Sequence, residues 1–140
     1  MATVESSVRI ERPQSEVFDY LADITRHHEW NTALDRTEVV GSGPVGLGTQ
    51  AVEIRRVLRW EMRSPFVITR HEPPTRQDFH TTGGPVRPDG VLRCVDEGGV
   101  TRVSYELTLR GPFAKLIAVG LRRGMPGNLA NVKKILEERS

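Results

Sequence analysis

The stretch that most restricts what this chain can become is its last. From Phe113 to about Glu138, Phe113, Leu116, Ile117, Leu121, Leu129, Val132, Ile135 and Leu136 recur every three or four positions. That spacing predicts one long helix with a broad apolar face, the backstop of a core. Gly120, Gly124 and Gly127 interrupt it, and each glycine costs about 1 kcal/mol against alanine inside a helix. Their absent side chains must therefore serve something. Gly120 and Gly124 fall on one helical line with Ile117, Asn128 and Asn131. Such a line leaves room for close backbone packing, against the sheet or a second subunit, or for a cavity that a ligand can fill. Met125-Pro126-Gly127 predicts a bend or break near mid-helix, because proline removes a backbone donor and clashes with the preceding turn.

The remainder reads as sheet after a short helical pair. Val4, Ser6, Val8 and Ile10 alternate with Glu5, Ser7 and Arg9, a strand with one buried face. Pro13 opens a helix through Leu21, with Val17, Phe18 and Leu21 on its apolar side, and Asp23 is placed to cap a second short helix reaching Trp30. Strands follow at 37–40, 51–58, 62–71, 77–82, 90–96 and 100–109, separated by the glycine-rich 41–48, a turn near Arg59 and Trp60, Pro73-Pro74, Gly83-Gly84-Pro85 and Glu97-Gly98-Gly99. A last hairpin closed with Asp96 opposite Gly99 sets Leu92 against Val103 and Cys94 against Thr101. Along residues 51–58 hydrophobicity selects Val52, Ile54 and Leu58 as the inward set, and their parity carries Arg56 inward as well.

A chain of 140 residues is one domain by size. Its 37% hydrophobic and 27% charged residues, with no apolar run near the length of a bilayer span, exclude a disordered chain and integral membrane association. The polar, alternating start lacks the apolar centre of a signal peptide, so the expected location is cytoplasmic. Cys94 is the only cysteine, which excludes an internal disulfide and a cysteine-based zinc site. A net charge of +2 with mixed signs names no partner.

Several stretches together resemble one known superfamily. "IERPQSEVFDYLADITRHHEWN" is similar to its strand end, proline, Val-Phe-x-x-Leu-Ala-Asp and Trp; "GSGPVGLGTQ" to its glycine-rich turn; "ITRHEPPTRQDF" and "GGVTRVSYEL" to its paired-proline turn and final hairpin; "NLANVKKILEE" to the end of its last helix. The chain thereby resembles the START-like (SRPBCC, Bet v 1-like) superfamily over 1–140, and within it the bacterial polyketide cyclase/dehydrase-like branch. The resemblance implies an α+β helix-grip fold: a curved seven-stranded antiparallel sheet wrapped around the long C-terminal helix, with two short helices between the first two strands. It also implies an internal cavity for an apolar or aromatic ligand, lipid- or polyketide-like, and no cofactor. Such a fold hosts carriers and sensors as well as enzymes, so the cavity side chains must decide.

The expected lining is Trp30, Ile54, Arg56, Phe66, Ile68, Phe79, Leu92, Tyr105, Leu107, Ile117, Gly120 and Gly124. Trp30 matches the superfamily's Trp at the helical side of the cavity, where a core or lid role and a ligand contact weigh equally. Proton transfer beside a carbonyl, as a cyclase or dehydrase requires, could enlist Tyr105 and Arg56, or Asp78, His80 and His71. Asp78 and His80 share the strand face opposite Phe79, so an inward Phe79 removes both. An inward Arg56 needs a partner such as Asp78 or a ligand carboxylate. His27-His28-Glu29 lacks the i, i+4 spacing of helical metal ligands and is read as a solvated helix end. Arg55, Arg56, Arg59 and Arg63 around Trp60 form a basic run, but alternation divides it between two sheet faces and Glu53 and Glu61 dilute it, against nucleic-acid binding. A homodimer stays open through the glycine line. The two functional readings are a carrier or sensor for a small apolar or aromatic molecule, and a polyketide cyclase or dehydrase.

Overall fold

The computed structural model describes residues 1–84 and 86–139, with the backbone alone at Val57. Alternating sequences give seven strands: β1 (Ala2–Ile10), β2 (Arg36–Val39), β3 (Gln50–Val57), β4 (Trp60–Glu72), β5 (Arg76–Thr81), β6 (Arg87–Asp96) and β7 (Thr101–Arg110). Between β1 and β2 lie helix α1 (Gln14–Ala22) and a 3₁₀ helix, Ile24–Glu29, whose start Asp23 caps by accepting from the Thr25 N–H at 3.1 Å. Helix α2 (Ala114–Glu137) ends the chain. All pairings are antiparallel in the order β1-β7-β6-β5-β4-β3-β2. The helical pair thus carries the chain from one edge of the open sheet to the other. This is the α+β helix-grip arrangement expected from sequence. Pro85, one of the expected strand stops, lies outside the described residues.

Two apolar clusters fill the concave side. In one, Ala114, Ala118, Met125, Leu129, Val132 and Leu136 of α2 pack with Val4, Ile10, Phe18, Leu21, Leu92, Val103, Tyr105 and Leu109. The other joins Ile24 to Ala51, Phe66 and Ile68. Phe79 packs against both. The far end of α2 is tied down by polar bonds: Arg12 Nε donates to Leu136 O at 2.8 Å, and Glu137 accepts from the Glu11 N–H at 2.8 Å.

The structure revises four local expectations. Helix α2 runs through Pro126 without a break, because Met125 and Leu129 on either side are both anchored in the core, and their burial offsets the one backbone bond that proline cannot make. Phe113 and Leu116 are exposed instead of inward. Ala114 and Ala118 take the inward positions, and their small size lets α2 lie close along β1 while its bulkier neighbours rotate outward. The β6–β7 register pairs Asp96 with Thr101, Leu92 with Tyr105 and Cys94 with Val103. The turn is a two-residue one made by Gly98 and Gly99, at φ 79° and 87°, and is closed by the Glu97 N–H to Val100 O at 2.7 Å, one position later than expected. A shift of two preserves every face, since strand parity repeats at two. Finally, β3 faces the other way, with consequences for the site.

Candidate functional site

Where α2 passes from Ala118 to Met125, glycines replace the side chains that would otherwise cover the sheet. A cavity of about 200 Å³ opens there. Gly120, Leu121, Gly124, Met125, Asn128 and Leu129 line it from the helix, and Phe79, Pro88, Tyr105 and Leu107 from the sheet. His27, Trp30, Asn31, Thr32 and Ala33 close it from the 3₁₀ helix and the segment after it, and Glu53 and Arg55 from β3. A Cβ added at Gly120 or Gly124 would meet nothing within 4 Å. Of the two uses for the glycine line, open space is the one present in the chain itself.

The wall is a stack of aromatic rings held by polar ties. Trp30 lies 5.1 Å from the His27 ring and 5.9 Å from that of Tyr105. His27 Nε2–H donates to Leu21 O at 2.8 Å, and burial lowers the imidazole's pKa. The ring is held neutral. Asn131 Nδ2 donates to Trp30 O at 3.1 Å, while Asn128 receives the Thr32 N–H at 3.4 Å and donates to Asn31 Oδ1 at 3.3 Å, so α2 itself fixes the segment carrying Trp30. Phe79 rests on Gly90, its cross-strand partner; a Cβ there would fall 2.1 Å from the ring, so only glycine permits this seat. Burial, with Glu53 second, raises the pKa of the Tyr105 phenol well above its ordinary value. It stays protonated and serves as a hydrogen-bond donor, not as a base.

One end of the cavity is charged. Glu53 and Arg55, two residues apart on one face of β3, form an ion pair at 2.8 Å with side chains 13% and 29% exposed. Neither was expected inside. Hydrophobicity favoured Val52 and Ile54, but the β3–β4 register places Ala51 with Phe66 and Glu53 with Ser64 on the concave face, turning Ile54 and Arg56 to the other. Ile54 is fully buried there, flanked in register by Arg36 and Arg63. Arg56 lies 3.6 Å from Glu61, in a lattice that also joins Arg36 and Arg63 to Glu38 and Glu61. A cavity wall does not require apolar side chains at every inward position, and that defeated the parity choice. The available signal was Glu-x-Arg itself, an i, i+2 pair of opposite charge that one strand face brings within contact.

Of the expected lining, Trp30, Phe79, Tyr105, Leu107, Gly120 and Gly124 come together at the cavity. Phe66 and Ile68 belong to the cluster under Ile24, while Leu92 is buried in the main core and Ile117 packs against its edge. These four are inward but lie beyond the glycine gap, where side chains fill the space. Leu58, assigned inward with Ile54, is exposed at the β3–β4 turn. Asp78 is held by Arg76 at 2.8 and 2.9 Å and His80 by Asp89 at 2.7 Å, on the face opposite Phe79, and His71 Nδ1 donates to Gln77 at 2.7 Å away from the cavity. Cys94 is buried and its thiol is pushed up to about 12 by desolvation. Among the described residues no cluster of His, Cys, Asp and Glu could hold a metal, and no helix is long and apolar enough to cross a membrane.

An open antiparallel sheet gripping a long C-terminal helix over a side-chain-poor cavity is a Bet v 1-like, helix-grip fold. The chain belongs to the family described as polyketide cyclase / dehydrase and lipid transport, whose sequence model matches residues 1–137. No curated protein matches it by sequence. Among solved structures, TTHA0849 from Thermus thermophilus is 19% identical, with a TM-score of 0.80 over 99% of this chain and 100% of its own. Ara h 8.0201 is 13% identical, with a TM-score of 0.77 over 99% of each chain. The Zhui aromatase/cyclase from Streptomyces sp. R1128 is 14% identical, with a TM-score of 0.77 over 99% of this chain and 94% of its own. At these identities the likeness is one of fold.

Proposed function

We propose that this protein is a carrier or sensor for a small aromatic or apolar molecule that carries one polar end. The observation behind this reading is the glycine gap in α2: it stands over rings of Trp30, Phe79 and Tyr105 and ends at the Glu53–Arg55 pair. An apolar cavity near 150 Å³ is enough for a benzene-sized guest, so about 200 Å³ suits a single ring with a short substituent. The rings supply apolar contact, and the ion pair supplies both a donor and an acceptor for the polar end. Native mass spectrometry of protein purified from cells is the test. A co-purifying mass in the range of a monocyclic aromatic or short-chain lipid supports the reading; an empty protein that also ignores a panel of such compounds defeats it.

The second reading, a polyketide cyclase or dehydrase, draws on Tyr105 facing the cavity beside Glu53, and on the aromatase/cyclase among the structural relatives. Tyr105 would donate to a substrate carbonyl and Glu53 would accept a proton beside it. Asp78, His80 and Arg56 take no part, since they face away. Turnover of a poly-β-carbonyl compound that Tyr105→Phe abolishes while binding persists would establish the enzyme. Binding without turnover in the unmodified protein leaves the carrier.

A further inference from the structure

The outer face of α2 is apolar where a solvated helix should be polar. Leu116, Val119, Gly120, Arg123 and Gly127 follow the i, i+3, i+4, i+7, i+11 spacing of a single face, and all are exposed. Phe113, just ahead of the helix, is 67% exposed and Leu116 72%. The charges of this region have one sign. Lys115, Arg122 and Arg123 pair with no carboxylate among the described residues, and the helix's only acidic residue, Glu137, lies far past Leu116, roughly 30 Å along the axis. A second apolar projection stands at the β3–β4 turn, where Leu58 is 90% and Trp60 75% exposed. Leu58 holds a left-handed φ of 58°, a place that favours glycine or asparagine, and Arg59 beside it is exposed. Arg55, three residues before Leu58 on this hairpin, and Gly120, on the helix face, line the same cavity. The two projections therefore flank it.

We infer that this surface docks the protein on an anionic lipid bilayer, with Leu58, Trp60, Phe113 and Leu116 entering the interface and the basic residues facing lipid phosphates. Along α2 the apolar side chains are flanked by cations of one sign, and at the hairpin Glu61 beside Trp60 is offset by Arg36, Arg56 and Arg63; apolar groups with surplus positive charge are what an anionic interface takes. A second copy is the poorer occupant, since two-fold pairing through this face sets Arg122 and Arg123 against their own kind. A fluid interface also accepts separate projections on a hairpin tip and a helix without requiring a matching groove. The inference does not rest on what the cavity holds.

Flotation with vesicles of phosphatidylcholine, alone and mixed with phosphatidylglycerol, tests it. Binding is expected only to the mixed vesicles, falling as salt rises, and each of Arg122→Ala and Arg123→Ala should weaken it about fivefold. Trp30 is buried, so a blue shift of emission on binding reports Trp60 and should vanish in Trp60→Phe. Leu116→Glu should abolish binding while leaving thermal unfolding and cavity-ligand binding unchanged; the arginine and Trp60 variants decide the matter if that protein does not fold. Equal binding to neutral vesicles, or none to either, overturns the inference. So does a dimer in solution that Leu116→Glu dissociates, which would assign the face to a second copy.

Discussion

Glu53 and Arg55 show how one residue's surroundings set its worth. The carboxylate is almost covered and its cation is two positions away on the same strand face, at 2.8 Å. Arg55→Met strands Glu53 without a partner, and a buried charged acceptor left so costs about 1–3 kcal/mol. Glu53→Gln with Arg55→Met should recover most of that loss, and urea unfolding of the two single variants and the double measures the coupling. Additive losses would mean that the pair is held by its neighbours and not by itself. His27 gives the pH dependence. Its folded pKa is lowered by burial, so the unfolded chain binds the extra proton first. Its contribution is full above the ordinary histidine value of about 6.5 and is lost as pH falls below that toward the folded pKa. The melting temperature should decline through this window, and His27→Gln should flatten the slope there. An unchanged slope would assign the decline to other groups.

At the level of elements, the glycines divide by what stands above them. Gly120 and Gly124 have open space and ordinary backbone, so Gly120→Ala should stabilise the protein by up to about 1 kcal/mol through helix propensity alone. Gly90 has the Phe79 ring where a Cβ would be, and Gly90→Ala should cost about 1–3 kcal/mol as the ring is driven from its seat toward the cavity. Differential scanning calorimetry of the two variants should give shifts of opposite sign. This contrast marks the limit of what the sequence reveals. Periodicity located the strands and α2, because burial of one face imposes a repeat that survives any later detail. The cavity-lining glycines of α2 could be read because their propensity cost demands a reason. Which face of β3 lines the cavity could not be, since Val52 and Ile54 look more inward than Glu53 and Arg55 until the β3–β4 register is known. Nor could Gly90 be distinguished, for its partner Phe79 sits on the neighbouring strand and meets it only once the β5–β6 register is known. The alanines of α2 hid for another reason: small residues that let a helix approach a strand carry little hydrophobic signal.

For the whole molecule, the proposed function rests on a single exchange of helix stability for space, and one substitution separates the two. Gly124→Leu puts a branched side chain into the opening between Met125 and the ring wall. The helix gains propensity, and the folded protein should be as stable as the parent or slightly more so. Ligand linkage is where the loss should appear. A ligand at a hundred times its dissociation constant stabilises the parent by about 2.7 kcal/mol, and this increment should shrink toward nothing in the variant because the ligand's place is taken. Melting both proteins with and without the identified ligand, beside displacement of a fluorescent probe, measures the two effects independently. Equal ligand-induced shifts in parent and variant would show that the molecule binds elsewhere, and that the glycines of α2 serve its outer surface and not its interior.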